Sequence, residues 1–169
     1  CSSDLSLLLP YEDAAETRGE LLINAEKIDA YVKNLNENNI PLAIHAIGDK
    51  SVDIALNAIE STSKHLQMAN RIEHIEVISK VATSRFAELG VVASMQPDHA
   101  IAGNYQESRL GADRLPYSYA WKTLLSYGAS MVLGSDWPTA PENPMIQLSD
   151  VIFREYNGKT RYSDDALSL

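Results

Sequence analysis

The sequence predicts an α/β fold built on a short parallel sheet. Stretches with helical apolar period alternate with short apolar strands, and helix-to-strand turns are short while strand-to-helix loops are longer. The strand candidates also end in polar residues: His45, His74, the turn Gln96-Pro97-Asp98-His99, and Asp136. Strict alternation of this kind argues for βαβ units with about four parallel strands and flanking helices. Two architectures fit, an open doubly wound sheet or an arc of a (β/α)₈ barrel.

Residues 1–20 lack a period and carry turn chemistry around Pro10-Tyr11-Glu12-Asp13 and Thr17-Arg18-Gly19, so they read as loop. Asn24 can cap a helix whose apolar stripe is Ile28, Tyr31, Val32 and Leu35. Asn38-Asn39 stop it, and 41–45 is a short strand. Asp49 caps a second helix with Val52, Ala55, Leu56 and Ile59 inward, and 71–75 is the next strand. Ser79 opens a third helix through Ala82, Phe86 and Leu89, with Gly90 at the position after the helix that favours left-handed backbone. A strand follows at 91–95. The stretch 97–114 is long enough for a functional loop or a short helical insertion. Pro116 opens a helix carrying Tyr117, Ala120, Trp121 and Leu124, ended by Gly128. Trp121 reads as core. Met131-Val132-Leu133-Gly134-Ser135-Asp136 reads as a short buried strand, with Val132, Gly134 and Asp136 on one face. After Pro138, Pro141 and Pro144, a last helix carries Leu148, Val151 and Ile152, and the residues from Asn157 onward read as loop.

A length of 169 residues suffices for one domain with a proper core, and 45% hydrophobic content is ordinary for a globular chain. The net charge of −9 and pI near 4.8 argue against nucleic acid and anionic membrane surfaces as partners. Cys1 is the sole cysteine, which excludes a disulfide framework or a thiolate cluster within one chain. No apolar run approaches the ~18 residues of a membrane span and no signal peptide is visible, which favours the cytoplasm. Cys1-Ser2-Ser3-Asp4 mimics the lipidated start of a bacterial lipoprotein; a cut through a longer protein is the other reading.

A carboxylate ending an apolar strand is costly unless it is paired, hydrogen-bonded or bound to a metal. In parallel α/β folds the C-terminal strand edge is where ligands sit. His45 by itself reads as a hydrogen-bonded core histidine. With His74 in the equivalent place one unit later and Asp136 two units after that, the three form a partial shell for Zn²⁺ or a similar divalent ion. Asp136 either ligates the ion or takes a proton from the water that the ion activates. His65 reads as a solvated side chain, and His99 as a surface residue or a substrate contact. Asp49, an N-cap worth ~1 kcal/mol, is near enough to His45 to support it from behind. No G-x-G-x-x-G follows a strand and no phosphate-binding G-x-x-x-x-G-K-[ST] occurs, which removes the usual nucleotide reading.

The strings His45-Ala46-Ile47-Gly48-Asp49, Arg71-Ile72-Glu73-His74, Ser94-Met95-Gln96-Pro97-Asp98-His99-Ala100 and Gly134-Ser135-Asp136-Trp137-Pro138 are similar, in this order, to those of the amidohydrolase superfamily. The branch they resemble is amidohydrolase family 3, which includes N-substituted formamide deformylases, and the resemblance runs from about Leu7 to Tyr156. It implies the C-terminal half of a (β/α)₈ TIM-type barrel, strands five to eight with their helices. It further implies His45 and His74 as metal ligands on the fifth and sixth strands. Asp136 matches the eighth-strand aspartate that touches the metal and shuttles a proton, and Gln96 and His99 would face the substrate. The expected activity is hydrolysis of a C–N bond in a small amide or cyclic amide, with one or two ions, Zn²⁺ foremost.

The family's first-strand His-x-His pair has no counterpart, since no two histidines here stand two apart. The fourth-strand region would lie upstream of Cys1, which supports the cut-fragment reading. A half barrel implies two open sheet edges, an inactive isolated chain, and the missing N-terminal half or a second copy as packing partner. The alternative class is a non-catalytic regulatory or binding domain that retains the barrel motifs. A flavodoxin-like phosphate binder is weakened by the lack of a glycine-rich loop.

Overall fold

The computed structural model describes residues 5–62, 67–102, 105–156, 158–160 and 166–167; Cys1 and His65 lie outside them. Asn24 caps α1 (Ala25–Glu37), its side-chain oxygen accepting from the Lys27 N–H at 3.0 Å. Val32 is fully buried, whereas Tyr31, expected in the apolar stripe, is 54% exposed. β1 (Ala43–Ala46) leads into α2 (Asp49–Ser61), which buries Val52, Ala55, Leu56 and Ile59. β2 (Arg71–His74) is followed by α3 (Ala82–Glu88), whose start is held by Ser79 Oγ accepting from the Ala82 N–H at 3.2 Å. β3 (Val92–Met95) precedes two short helices, α4 (Pro97–Ala102) and α5 (Tyr105–Leu110), so the 97–114 connection is a helical insertion.

The single helix expected from Pro116 is two pieces. A 3₁₀ turn at Leu115–Tyr117 and α6 (Trp121–Ser126) are separated by Tyr119, whose φ of 48° breaks the helical run. Tertiary contacts hold that break: the Tyr119 N–H donates to the Glu76 carbonyl, and its own carbonyl accepts from Arg154 Nη2 at 2.7 Å. The Arg154 guanidinium lies 3.8 Å over the ring of Trp121, which is core as expected. β4 (Met131–Leu133) and α7 (Pro144–Phe153) follow, the latter capped by Asn143. β5 (Glu155–Tyr156) pairs antiparallel with β6 (Lys159–Thr160), the latter falling in the stretch from 157 onward, expected to be loop.

The sheet runs β1-β2-β3-β4, all parallel, with Ile44 opposite Ile72, Ile72 opposite Ala93 and Ala93 opposite Met131. That face is buried beneath the helices in a core that includes Val52, Leu56, Phe86, Trp121 and Leu124. The other face carries His45, Glu73, Ser94 and Val132 in register, with His45 and Val132 exposed. β4 is not the buried strand expected: Val132 and Leu133 are 46% and 37% exposed. It is an edge strand, with no described strand paired to its outer side. At the opposite edge a groove of about 690 Å³ runs along β1, lined by Leu22, Ile28, Tyr31, Leu42, Ile44 and His45 among others.

The N-terminal segment docks on the start of α2. Gly48, not Asp49, is the N-cap residue, and the position takes glycine because a Cβ there would come within 2.2 Å of the Ser6 carbonyl oxygen. Asp49 is instead the first helical residue, and its Oδ1 accepts from the Leu8 N–H at 2.8 Å. Leu5, Leu7 and Tyr11 pack there against Ile47, Val77 and Leu110, a small second core over the C-terminal ends of β1 and β2.

Candidate metal centre

Strand alternation alone would separate the two histidines expected to meet. His45 stands opposite Glu73, while His74 stands opposite Ala46 and so shares the parity of the helix-covered face. The rings nevertheless lie 4.4 Å apart, edge to face. The backbone at the end of β2 turns left-handed over two consecutive residues, His74 at φ 75° and Ile75 at φ 52°, which breaks the alternation. A β-branched residue in that region is a strained conformation of the kind that concentrates at functional sites. Asp136 is not the last residue of a strand; it lies in a turn beyond β4, at φ 55°, where its carbonyl accepts from the Thr139 N–H at 2.8 Å.

Two chain-distant histidines converge with this aspartate. His74, His99 and Asp136 each offer a ligand atom, and all three atoms lie within 4.8 Å of one another. His45 stands outside that trio, beside His74. The rings of His74 and His99 are stacked, 9° from parallel with centroids 6.0 Å apart. Burial pushes the His74 pKa down, helped by His45 and opposed by Asp136 and Glu76. His99 moves the other way, chiefly through the Glu76 carboxylate beside it. Two imidazoles and a carboxylate are a donor set that divalent transition metals accept. His99 Nε2 is buried without a hydrogen-bond partner among the described residues, so the trio fits a cation.

Gln96, at the end of β3, is 5% exposed, and its Oε1 is likewise buried without a partner among the described residues. Its carbonyl oxygen accepts from the His99 N–H at 3.2 Å, starting α4. Asp49 makes its short contact to the Leu8 N–H, and burial raises its pKa. Sequence reasoning missed Glu76, whose carboxylate Oε1 lies 3.7 Å from His99 Nδ1. The signal available was its cost: an acid set in the apolar run Ile75-Glu76-Val77-Ile78 needs a partner.

An arc of parallel strands that gathers histidines and an aspartate at its C-terminal edge is the arrangement of barrel hydrolases that use a metal. The model of amidohydrolase family 3 matches residues 5–167. The chain belongs to that family, and its four-stranded sheet is a partial (β/α)₈ barrel. YtcJ of Bacillus subtilis (strain 168) is 30% identical over 166 residues, covering 95% of this chain and 31% of YtcJ. Protein LONG AFTER FAR-RED 3 of Arabidopsis thaliana is 33% identical over 149 residues, 85% of this chain and 26% of that protein. The crystal structure of an uncharacterized metal-dependent hydrolase from Pyrococcus horikoshii OT3 superposes with a TM-score of 0.87 at 29% identity, covering 98% of this chain and 34% of that one. The chain thus spans about a third or less of the length of each relative. Among the described residues no helix is long and apolar enough to cross a membrane.

Proposed function

We propose that this chain supplies the C-terminal part of the active centre of a hydrolase that uses a divalent metal to cleave the C–N bond of a small amide or cyclic amide, N-substituted formamides among them. The observation that carries this reading is the gathering of His74, His99 and Asp136 within 4.8 Å. His74, its pKa lowered by burial, stays neutral near pH 7 and keeps a lone pair to donate. Asp136 adds a negative charge, and His99 is a third donor rather than the substrate contact expected from the sequence. His45, 4.4 Å from His74, is the next imidazole within reach. His74, His99 and Asp136 would hold the divalent ion, Zn²⁺ for this donor set, which would supply polarisation of the carbonyl and a lowered pKa for the attacking water.

Asp136 takes the proton from that water as its oxygen bonds to the carbonyl carbon. The C–N bond then breaks, and Asp136 returns the proton to the leaving nitrogen, which departs as the amine. Asp136 is exposed to solvent, whereas His74 is only 8% exposed. Gln96 Oε1 is a buried acceptor near the end of β3 and is assigned to hold the substrate's N–H. Asp49, expected to support His45 from behind, holds the N-terminal segment through the Leu8 N–H.

The test is the zinc content of the purified chain, by plasma mass spectrometry, beside His74→Ala and Asp136→Asn. Metal bound by the wild type and lost from both variants is expected. Wild-type protein that binds no zinc overturns the reading and is the result a non-catalytic regulatory or binding domain would give. The isolated chain is expected not to hydrolyse formamides or dipeptides, because its sequence supplies no His-x-His pair. Turnover by it that Asp136→Asn abolishes would contradict this.

A further inference from the structure

Glu76 is 3% exposed, two residues past the end of β2. A buried carboxylate is expensive, and an apolar residue of similar size in its place is often neutral or stabilising. Its contacts show what it is used for. Oε1 lies 3.7 Å from His99 Nδ1, on α4. Oε2 accepts from Gln106 Nε2 at 3.1 Å, on α5. Ser118 Oγ lies 3.1 Å from Gln106 Oε1 and 3.0 Å from the carbonyl oxygen of Glu76 itself. One carboxylate therefore meets both helices of the insertion, and its own main chain closes the ring of contacts.

The two nitrogens of an imidazole diverge, so the group that meets one of them decides what the other can do. A carboxylate at Nδ1 favours the proton there and leaves the lone pair on Nε2. In His99 it is Nε2 that is buried without a partner among the described residues, with the His74 ring stacked alongside. Carboxylate–histidine pairs of this form commonly orient metal-binding imidazoles and raise their basicity.

We infer that Glu76 is a positioning residue: it holds His99 in the Nδ1–H tautomer, so that Nε2 presents its lone pair to the His74–Asp136 centre, while clamping α4 and α5 to the end of β2. The inference deepens the proposed metal centre and rests on that reading for its functional meaning. Its own content, the tautomer, is read on metal-free protein, so its failure and the failure of the hydrolytic reading are separate results.

The experiment is a long-range ¹H–¹⁵N correlation spectrum of the full chain labelled with ¹⁵N-histidine, at about pH 9, above the ordinary imidazole range. His99 is assigned by the peak lost in His99→Gln. The expected wild-type pattern is the protonated Nδ1 form, reverting in Glu76→Leu to the Nε2–H form that free imidazole side chains prefer. Gln106→Leu, which leaves the Oε1 contact in place, keeps the wild-type pattern. A wild-type His99 in the Nε2–H form overturns the proposal, and so does a tautomer unchanged in Glu76→Leu. If Glu76→Leu does not fold, the wild-type spectrum alone decides.

Discussion

His45 and His74 lie with their rings 4.4 Å apart although they sit on opposite parities of neighbouring strands. Two consecutive left-handed residues, His74 and Ile75, bring this about by breaking the pleat where β2 ends. The two histidines are not equivalent in consequence: His74 is buried within the trio and His45 is exposed beside it. In a chelator competition, His74→Ala is expected to weaken zinc binding by more than the roughly 100-fold that losing an outer partner costs. His45→Ala is expected to weaken it less. The reverse ranking would move the centre toward β1.

Asp136 is held at φ 55°, where a residue with a Cβ is strained and glycine is not. Asp136→Gly should therefore be more stable than Asp136→Ala by about 1 kcal/mol, while both lose the metal. Urea midpoints measure the difference. Equal midpoints would show that the turn relaxes once the carboxylate is gone.

Asp150 of α7 has its carboxyl pushed up to about 6, first by burial and then by the charge of Asp98 on α4. Its Oδ2 is buried with no hydrogen-bond partner among the described residues. An acid whose folded pKa lies above its ordinary value of 3.8 opposes folding when ionised. That penalty is full above the folded value, shrinks as pH falls through about 6, and is gone below the ordinary carboxylate range. Asp150→Asn is expected to raise the urea midpoint over wild type at about pH 8 and to lose that advantage at about pH 3.5. A constant difference across the two would rule out this origin.

Gly48 is the point where the N-terminal segment crosses the start of α2. A methyl group there would meet the Ser6 carbonyl oxygen at 2.2 Å, so backbone must shift. Gly48→Ala should cost about 1–3 kcal/mol, the range for overpacking. It should also expose the segment around Leu5–Leu8 to limited proteolysis, because the Asp49 contact to the Leu8 N–H depends on the same approach. Wild-type resistance in the variant would show that the loop adapts.

Among the described residues the sheet has two unpaired edges, one at β4 with Val132 and Leu133 exposed, and one at β1 beside the apolar groove. Unpaired apolar edges recruit other chains. The chain by itself is expected to self-associate with rising concentration in sedimentation velocity, and Val132→Lys with Leu133→Lys to reduce that association. A monodisperse monomer that unfolds cooperatively would show that the edges are tolerated without the rest of a barrel.

The alternation of helices and strands along the chain was readable because it depends on period. The spatial order of the strands stayed open between two architectures until the family resemblance chose between them. The stripe Val52, Ala55, Leu56 and Ile59 is the same apolar face in sequence and in structure, and Asn24 caps where a short polar side chain before such a stripe should. Strict alternation gave the parallel sheet, and the ordered His and Asp motifs gave the family. The split at Tyr119 was not readable, because Glu76 and Arg154, far away in the chain, supply the bonds that hold it. Exposure of β4 was hidden for a related reason: an apolar strand looks buried in sequence whether or not a neighbour is there to cover it.

The sequence by itself determined the fold class, the family, and that His45 and His74 stand at strand ends, since these follow from local period and ordered motifs; Asp136 it placed on a strand that the structure ends at Leu133. Only the tertiary structure decided which side chains meet. His99 joins His74 and Asp136 through an insertion whose path has no period to read, and His74 turns through left-handed backbone that strand alternation does not anticipate. Glu76 becomes a partner of His99 because folding closes a separation of 23 residues (99 − 76) that sequence patterning cannot see across.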